Sequence, residues 1–279
     1  MIKNNLVLVL LFVVSNSIGQ EKAIKVEVIG KGNSVLFLPG FITPGSVWKE
    51  TVKNLTKENE SHLFSYAGFN GIDPIKMPWY ESVKEAIFKY IEKKDLKNIR
   101  IIGHSMGGNL AIDIAAKFPK RVEKMMIVDA LACMREVMMP GVAASNLQYE
   151  SPYNNNLLKM NANQFKGMAS NMAGFMTLKK EKVAVLTKWI LKADRKTYVY
   201  GYTDLLKLDL REKLNAIKTK TIILGASFPN PTIAKATFVK QYANLSNKTI
   251  EMASNSKHFI MFDQPKWFYT KVNTFLANE

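Results

Sequence analysis

The sequence predicts an α/β fold: a mostly parallel sheet with helices on both faces and a helical cap inserted into it. Three observations carry that prediction. Short apolar runs alternate with amphipathic stretches along most of the chain, one long segment lacks any strand signal, and a glycine-rich turn stands between a run and a helix. No Pro/Gly/Ser-rich linker divides the 279 residues, so one core is expected after a short leader.

The elements follow in order. Ser34 to Leu38 is a buried strand ending at Pro39-Gly40, and Val47 to Leu55 continues as a polar-faced helix. His62 to Tyr66 is a second strand, closed by the turn Ala67-Gly68-Phe69-Asn70-Gly71. Ser82 to Lys93 places Val83, Ile87, Tyr90 and Ile91 on one helix face. Asn98 to Gly103 is a third strand, and Gly107 to Phe118 is a helix stacking Leu110, Ile114 and Ala115 until Pro119 stops it. Val122 to Val128, Thr219 to Leu224 and Lys248 to Met252 are further strands, and a terminal helix starts near Gln264. Strands separated by helices imply βαβ units and a largely parallel sheet wrapped on both faces.

From about residue 131 to 200 the rhythm breaks. This stretch is helical and rich in methionine (Met134, Met138, Met139, Met160, Met168, Met172, Met176), as expected of a cap over the carboxyl ends of the strands. The methionines suit either an adaptable pocket or the cap's own small core.

Charge and composition narrow the function. Lys and Arg number 39 against 23 Asp and Glu, a net charge of +16. The lysines are scattered, with no run of five or six like charges, which reads as a solvated basic surface rather than a nucleic-acid site. A single cysteine, Cys133, excludes an internal disulfide framework and a cysteine-rich zinc or iron–sulfur module, and three histidines make a metal site improbable. No metal or cofactor is expected. At the amino terminus, Lys3, the apolar stretch Leu6 to Val14 and the small residues Ser17-Ile18-Gly19 have the order of a signal peptide spanning residues 1–19, with cleavage before Gln20 and export to the periplasm or medium. The apolar stretch is well short of the ~20 residues a membrane span requires.

The chemistry centres on Gly103-His104-Ser105-Met106-Gly107-Gly108, between the third strand and the following helix. A G-x-S-x-G sequence there forms a sharp turn that lifts the serine hydroxyl above the sheet, beside the positive end of the helix. Ser105 is therefore the candidate nucleophile. It needs a base, and imidazole is the usual choice. His104 is expected to point away from Ser105, and His62 sits in an early strand as a structural residue. His258, in a polar loop after the last strand, matches the chain order in which the histidine comes last.

These residues resemble the α/β-hydrolase family: the GHSMGG turn, Pro39-Gly40-Phe41 after an early strand, and the late HFIMFDQP segment. The likeness runs from about residue 24 to 277 and is nearest to secreted esterase/lipase-like serine hydrolases. It implies cleavage of a small-molecule carboxylic ester without a cofactor, with the backbone N–H groups of Phe41 and Met106 as oxyanion hole. The sequence departs from the family after the Thr219 to Leu224 strand, where Gly225-Ala226-Ser227-Phe228-Pro229-Asn230 carries no carboxylate. Some members place the acid after the strand that follows the nucleophile's helix, and Asp129 occupies that position. It also suits a loop carboxylate capping the cap's first helix. Asp209, Asp204 and Asn230 are lesser candidates, and Asp263 is read as fixing the loop before the terminal helix. The same apparatus serves lactone hydrolysis and cofactor-free haloperoxidase-type chemistry, and the missing acid leaves a non-catalytic binding protein as the rival from another class.

Overall fold

The computed structural model describes residues 22–277. The expected leader and its cleavage point lie outside them. Among the described residues seven strands form one sheet: β1 (Ile24–Ile29), β2 (Ser34–Leu38), β3 (Glu60–Tyr66), β4 (Ile99–His104), β5 (Val122–Val128), β6 (Lys220–Ala226) and β7 (Lys248–Ala253). Their spatial order is β1-β3-β2-β4-β5-β6-β7, with β1 antiparallel to β3 and every other neighbour parallel. β4 is buried at every position and β2 at all but its first, as befits central parallel strands covered on both faces. The edge strand β1 sends Lys25 and Glu27 to solvent, and such charges discourage pairing with another chain.

The helices are α1 (Lys49–Lys53), α2 (Trp79–Lys93), α3 (Met106–Lys117), α4 (Met134–Met138), α5 (Pro152–Lys159), α6 (Ala162–Met176), α7 (Lys180–Leu191), α8 (Arg195–Lys207), α9 (Pro231–Gln241), α10 (Ile260–Asp263) and α11 (Pro265–Ala277). The polar-faced helix expected over Val47–Leu55 is instead a 3₁₀ turn, Gly45–Trp48, followed by the short α1. The reason is Trp48, fully buried with its ring centroid 5.6 Å from Phe37 and 6.3 Å from Phe268. Successive residues of a strand point to opposite faces, and β4 shows which helix lies on which. Arg100 donates to the Leu276 carbonyl of α11 at 2.7 Å, whereas a side chain on Gly103 would run into Gly107 of α3. Helices α3 and α11 therefore cover opposite faces, and His104 shares its face with Arg100.

Between β5 and β6 stand the helices α4 to α8, without a strand. Side-chain caps start three of them. Ser151 caps α5 with Pro152 at its first position, Asn161 and Gln164 form a capping box on α6, and Asp194 accepts from the Thr197 N–H at 2.8 Å on α8. Helices α6 and α7 pack together around Phe165, Ala169, Leu186 and Ile190. Helix α8 runs past residue 200 to Lys207.

The strand order sets the site. After β2 the chain crosses to β3 on one side, and after β3 it returns to β4 on the other, so the loops leaving β2 and β4 diverge above the sheet. Open parallel sheets bind ligands in the crevice at such a switch point.

Candidate active site

A cavity of about 630 Å³ lies above the carboxyl ends of the strands, with Phe41 from the loop after β2, Ser105 and Met106 after β4, Asp129 after β5, Phe228 after β6 and His258 after β7 on its wall. The five residues singled out from the sequence thus meet at one cavity.

Ser105 sits at the turn between β4 and α3 with φ +54° and ψ −125°. A non-glycine residue there stores about 1–3 kcal/mol of strain, which its surroundings must hold. Its N–H donates to the Val128 carbonyl at 2.8 Å, and its own carbonyl accepts from the Gly108 N–H at 2.7 Å. The turn closes only because Gly107 has no side chain: a Cβ there would lie 2.1 Å from the Leu38 carbonyl oxygen. Met106 is the first residue of α3, so its N–H has no carbonyl one turn earlier in the helix.

Asp129 is held at φ +46°. Its N–H donates to the Leu224 carbonyl at 2.7 Å, and its Oδ1 accepts from the Ala226 N–H at 2.8 Å. Its Oδ2 then accepts from Nδ1 of His258 at 2.6 Å. A proton on Nδ1 leaves Nε2 as the nitrogen with a lone pair. The loop carrying His258 is itself anchored. The Phe259 N–H donates to Met176 at 2.9 Å, and Asp263 accepts from the Lys257 N–H at 2.8 Å, the Thr177 hydroxyl at 2.6 Å and the Leu178 N–H at 2.9 Å. Asp263 thus ties the histidine loop to the connection between α6 and α7.

The lesser acid candidates are engaged elsewhere. Asp204 Oδ2 accepts from the N–H groups of Trp79 and Tyr80 at the start of α2, and its Oδ1 accepts from Tyr149. Asp209 pairs with Arg211, and Asn230 caps α9 through Thr232 and Ile233. His62 lies on β3 beside Tyr90 and Glu60, each at 2.8 Å.

His104 is fully buried with its ring 4.6 Å from that of His258, and its Nε2–H donates to the His258 carbonyl at 2.9 Å. Burial, with a smaller contribution from the neighbouring His258, holds its pKa well below the ordinary imidazole value. It is a neutral prop under the histidine loop, a role that sequence reasoning did not assign. The methionines divide. Met134, Met138, Met172 and Met176 line the cavity, whereas Met160 and Met168 pack beside Leu157 and Val199. Tyr198 and Tyr202, half-buried beside Phe41, complete one wall, and desolvation pushes both hydroxyls up to about 12, so they stay protonated.

Comparison with known proteins agrees with this fold. Residues 33–168 match the family described as alpha/beta hydrolase fold. A Mycoplasma pneumoniae protein provisionally named esterase/lipase 2 is 25% identical over 258 residues, covering 89% of this chain and 90% of that protein. Among solved structures, an esterase from Exiguobacterium antarcticum superposes with a TM-score of 0.76 at 18% identity, over 91% of this chain and 96% of that one. The enol-lactonase from Burkholderia xenovorans gives 0.74 at 14% identity, again over 91% and 96%. The seven-stranded sheet, its order and these likenesses make this chain an α/β-hydrolase-fold protein.

Proposed function

We propose that the protein is a serine hydrolase that cleaves carboxylic esters through an acyl-enzyme on Ser105. His258 Nε2 takes the hydroxyl proton as Oγ attacks the ester carbonyl, and Asp129 holds the imidazole in the required tautomer and offsets its positive charge. The oxyanion rests on the N–H groups of Phe41 and Met106, each such donor being worth about 2.7–4 kcal/mol to the transition state. His258 then protonates the departing alcohol, and a water activated by the same imidazole releases the acid. No step requires a metal or cofactor.

The observation that carries this reading is the 2.6 Å hydrogen bond between Asp129 and His258 at the cavity that Ser105 also lines. Lactones would open by the same chemistry. The linear ester is preferred because a relative aligned over 89% of this chain is named an esterase/lipase. In this reading the helices between β5 and β6 act as the cap over the site, and residues 1–19 direct export, which amino-terminal sequencing of the mature protein tests. For the activity, the test is turnover of short p-nitrophenyl esters by purified protein: Ser105→Ala is expected to lose at least about a thousandfold in kcat, and undiminished turnover by that variant would overturn the proposal.

A further inference from the structure

We infer that Lys257 is a specificity-determining cation and that the substrate of this site is an ester carrying an anionic group at one end. The inference rests on the hydrolase reading above and narrows its substrate class.

The wall of the cavity is mostly apolar, with Met134, Met172, Met176, Tyr198, Tyr202 and Phe238 prominent. Among the described residues only two side chains on it carry a formal charge at neutral pH, Asp129 and Lys257. The Asp129 carboxylate is engaged by His258 and the Ala226 N–H. Lys257 is held from three directions. Its N–H donates to Asp263 at 2.8 Å, its Nζ donates to the Gly174 carbonyl at 2.7 Å, and the ammonium lies 5.0 Å from the centre of the Phe228 ring. Phe228 lines the cavity and is 51% exposed, and Phe175, the residue after Gly174, lines it and is 76% exposed. The ammonium therefore stands where the cavity opens to solvent.

An ammonium has three donors, and Gly174 uses one. Beside an apolar wall its attraction for an anion exceeds that of a lysine surrounded by water. An apolar cavity with a single cation at its rim complements an amphiphile: a hydrocarbon portion inside and a carboxylate, sulfonate or phosphate at the mouth. The net charge of +16 would attract any anion from a distance, but that contribution is spread over the surface and survives removal of one lysine. The local contribution of Lys257 is thus separable.

The experiment uses two matched pairs of soluble esters. One places the charge on the alcohol (4-hexanoyloxybenzenesulfonate against phenyl hexanoate), and the other places it at the end of the acyl chain (4-nitrophenyl hydrogen adipate against 4-nitrophenyl hexanoate). Lys257→Met is expected to lower kcat/KM for the anionic member of one pair about tenfold, or about 1.4 kcal/mol, while the neutral members change less than twofold. Lys257→Arg is expected to retain the preference, and Lys235→Met, an exposed residue of α9, to leave all four rates unchanged. The pair that responds locates the anion. Equal losses on neutral and anionic members would assign Lys257 to holding α6 and overturn the inference, as would unchanged ratios in both pairs. Failure of the wild-type protein to cleave any of the four would overturn the hydrolase reading itself.

Discussion

Replacing Asp129 by Asn tests the proposed site at a single proton. In the wild type the carboxylate accepts twice, from His258 Nδ1–H at 2.6 Å and from the Ala226 N–H at 2.8 Å. An asparagine is nearly the same size but has only one accepting oxygen. If that oxygen keeps the Ala226 N–H, the amide NH₂ faces His258 and forces its proton onto Nε2, the nitrogen that must take the proton from Ser105. If the amide turns around, its NH₂ faces the Ala226 N–H and two donors confront each other. The first arrangement costs catalysis, and the second costs about 1–3 kcal/mol of stability for the unsatisfied pair. A wrong tautomer in such a triad lowers turnover about 10⁴-fold, equivalent to about 5.5 kcal/mol. The assay is kcat on a short p-nitrophenyl ester, with the thermal midpoint and circular dichroism showing that the fold survives. A variant within tenfold of the wild type would refute the role given to Asp129.

Further predictions follow from the same contacts. Asp263→Ala removes the acceptor shared by Thr177, Leu178 and Lys257, so it is expected to cost about 3 kcal/mol in urea unfolding and to lower kcat more than it raises KM; wild-type stability and kcat together would contradict this. His104 and His62 are both held below the ordinary imidazole pKa by burial, so the unfolded chain binds protons that the folded chain does not, and stability falls as pH drops below about 6.5. His104→Gln keeps a donor and removes one titrating group, so unfolding measured at pH 5 and pH 7 should show a shallower dependence, by up to about 1.4 kcal/mol per pH unit; an unchanged slope would contradict the buried neutral state. Gly107→Ala forces a methyl group against the Leu38 carbonyl and should cost about 3 kcal/mol or more, read as a lower urea midpoint, and a wild-type midpoint would show that the turn relaxes freely.

What could be read from the sequence is what depends on neighbours along the chain. Val122–Val128 and Ser34–Leu38 are strands to the residue because continuous apolar runs between turn signals have few other outcomes. The turn that carries Ser105 was legible because its glycines, strand and helix are contiguous. Strand β1 was not read, although Ile24, Val26 and Val28 alternate with Lys25 and Glu27, because its pairing with β3 is non-local and it comes soon after the apolar stretch Leu6 to Val14. Helix α9 was missed because Ile233 and Val239 face solvent and only Phe238 and Gln241 are buried, so no apolar stripe marks it. The competing carboxylates could not be sorted from sequence. Asp204 finds its partners at Trp79 and Tyr149, and Asp129 finds His258 at the other end of the domain, contacts made only when the sheet is assembled. The partner of His104, the His258 carbonyl, is equally distant in sequence.

The most direct measurement is covalent labelling with a fluorophosphonate followed by peptide mass mapping. The account predicts one adduct, on the peptide containing Ser105, with labelling strongly slowed in His258→Ala and abolished in Ser105→Ala. No adduct on folded protein, or an adduct on a different residue, would contradict it.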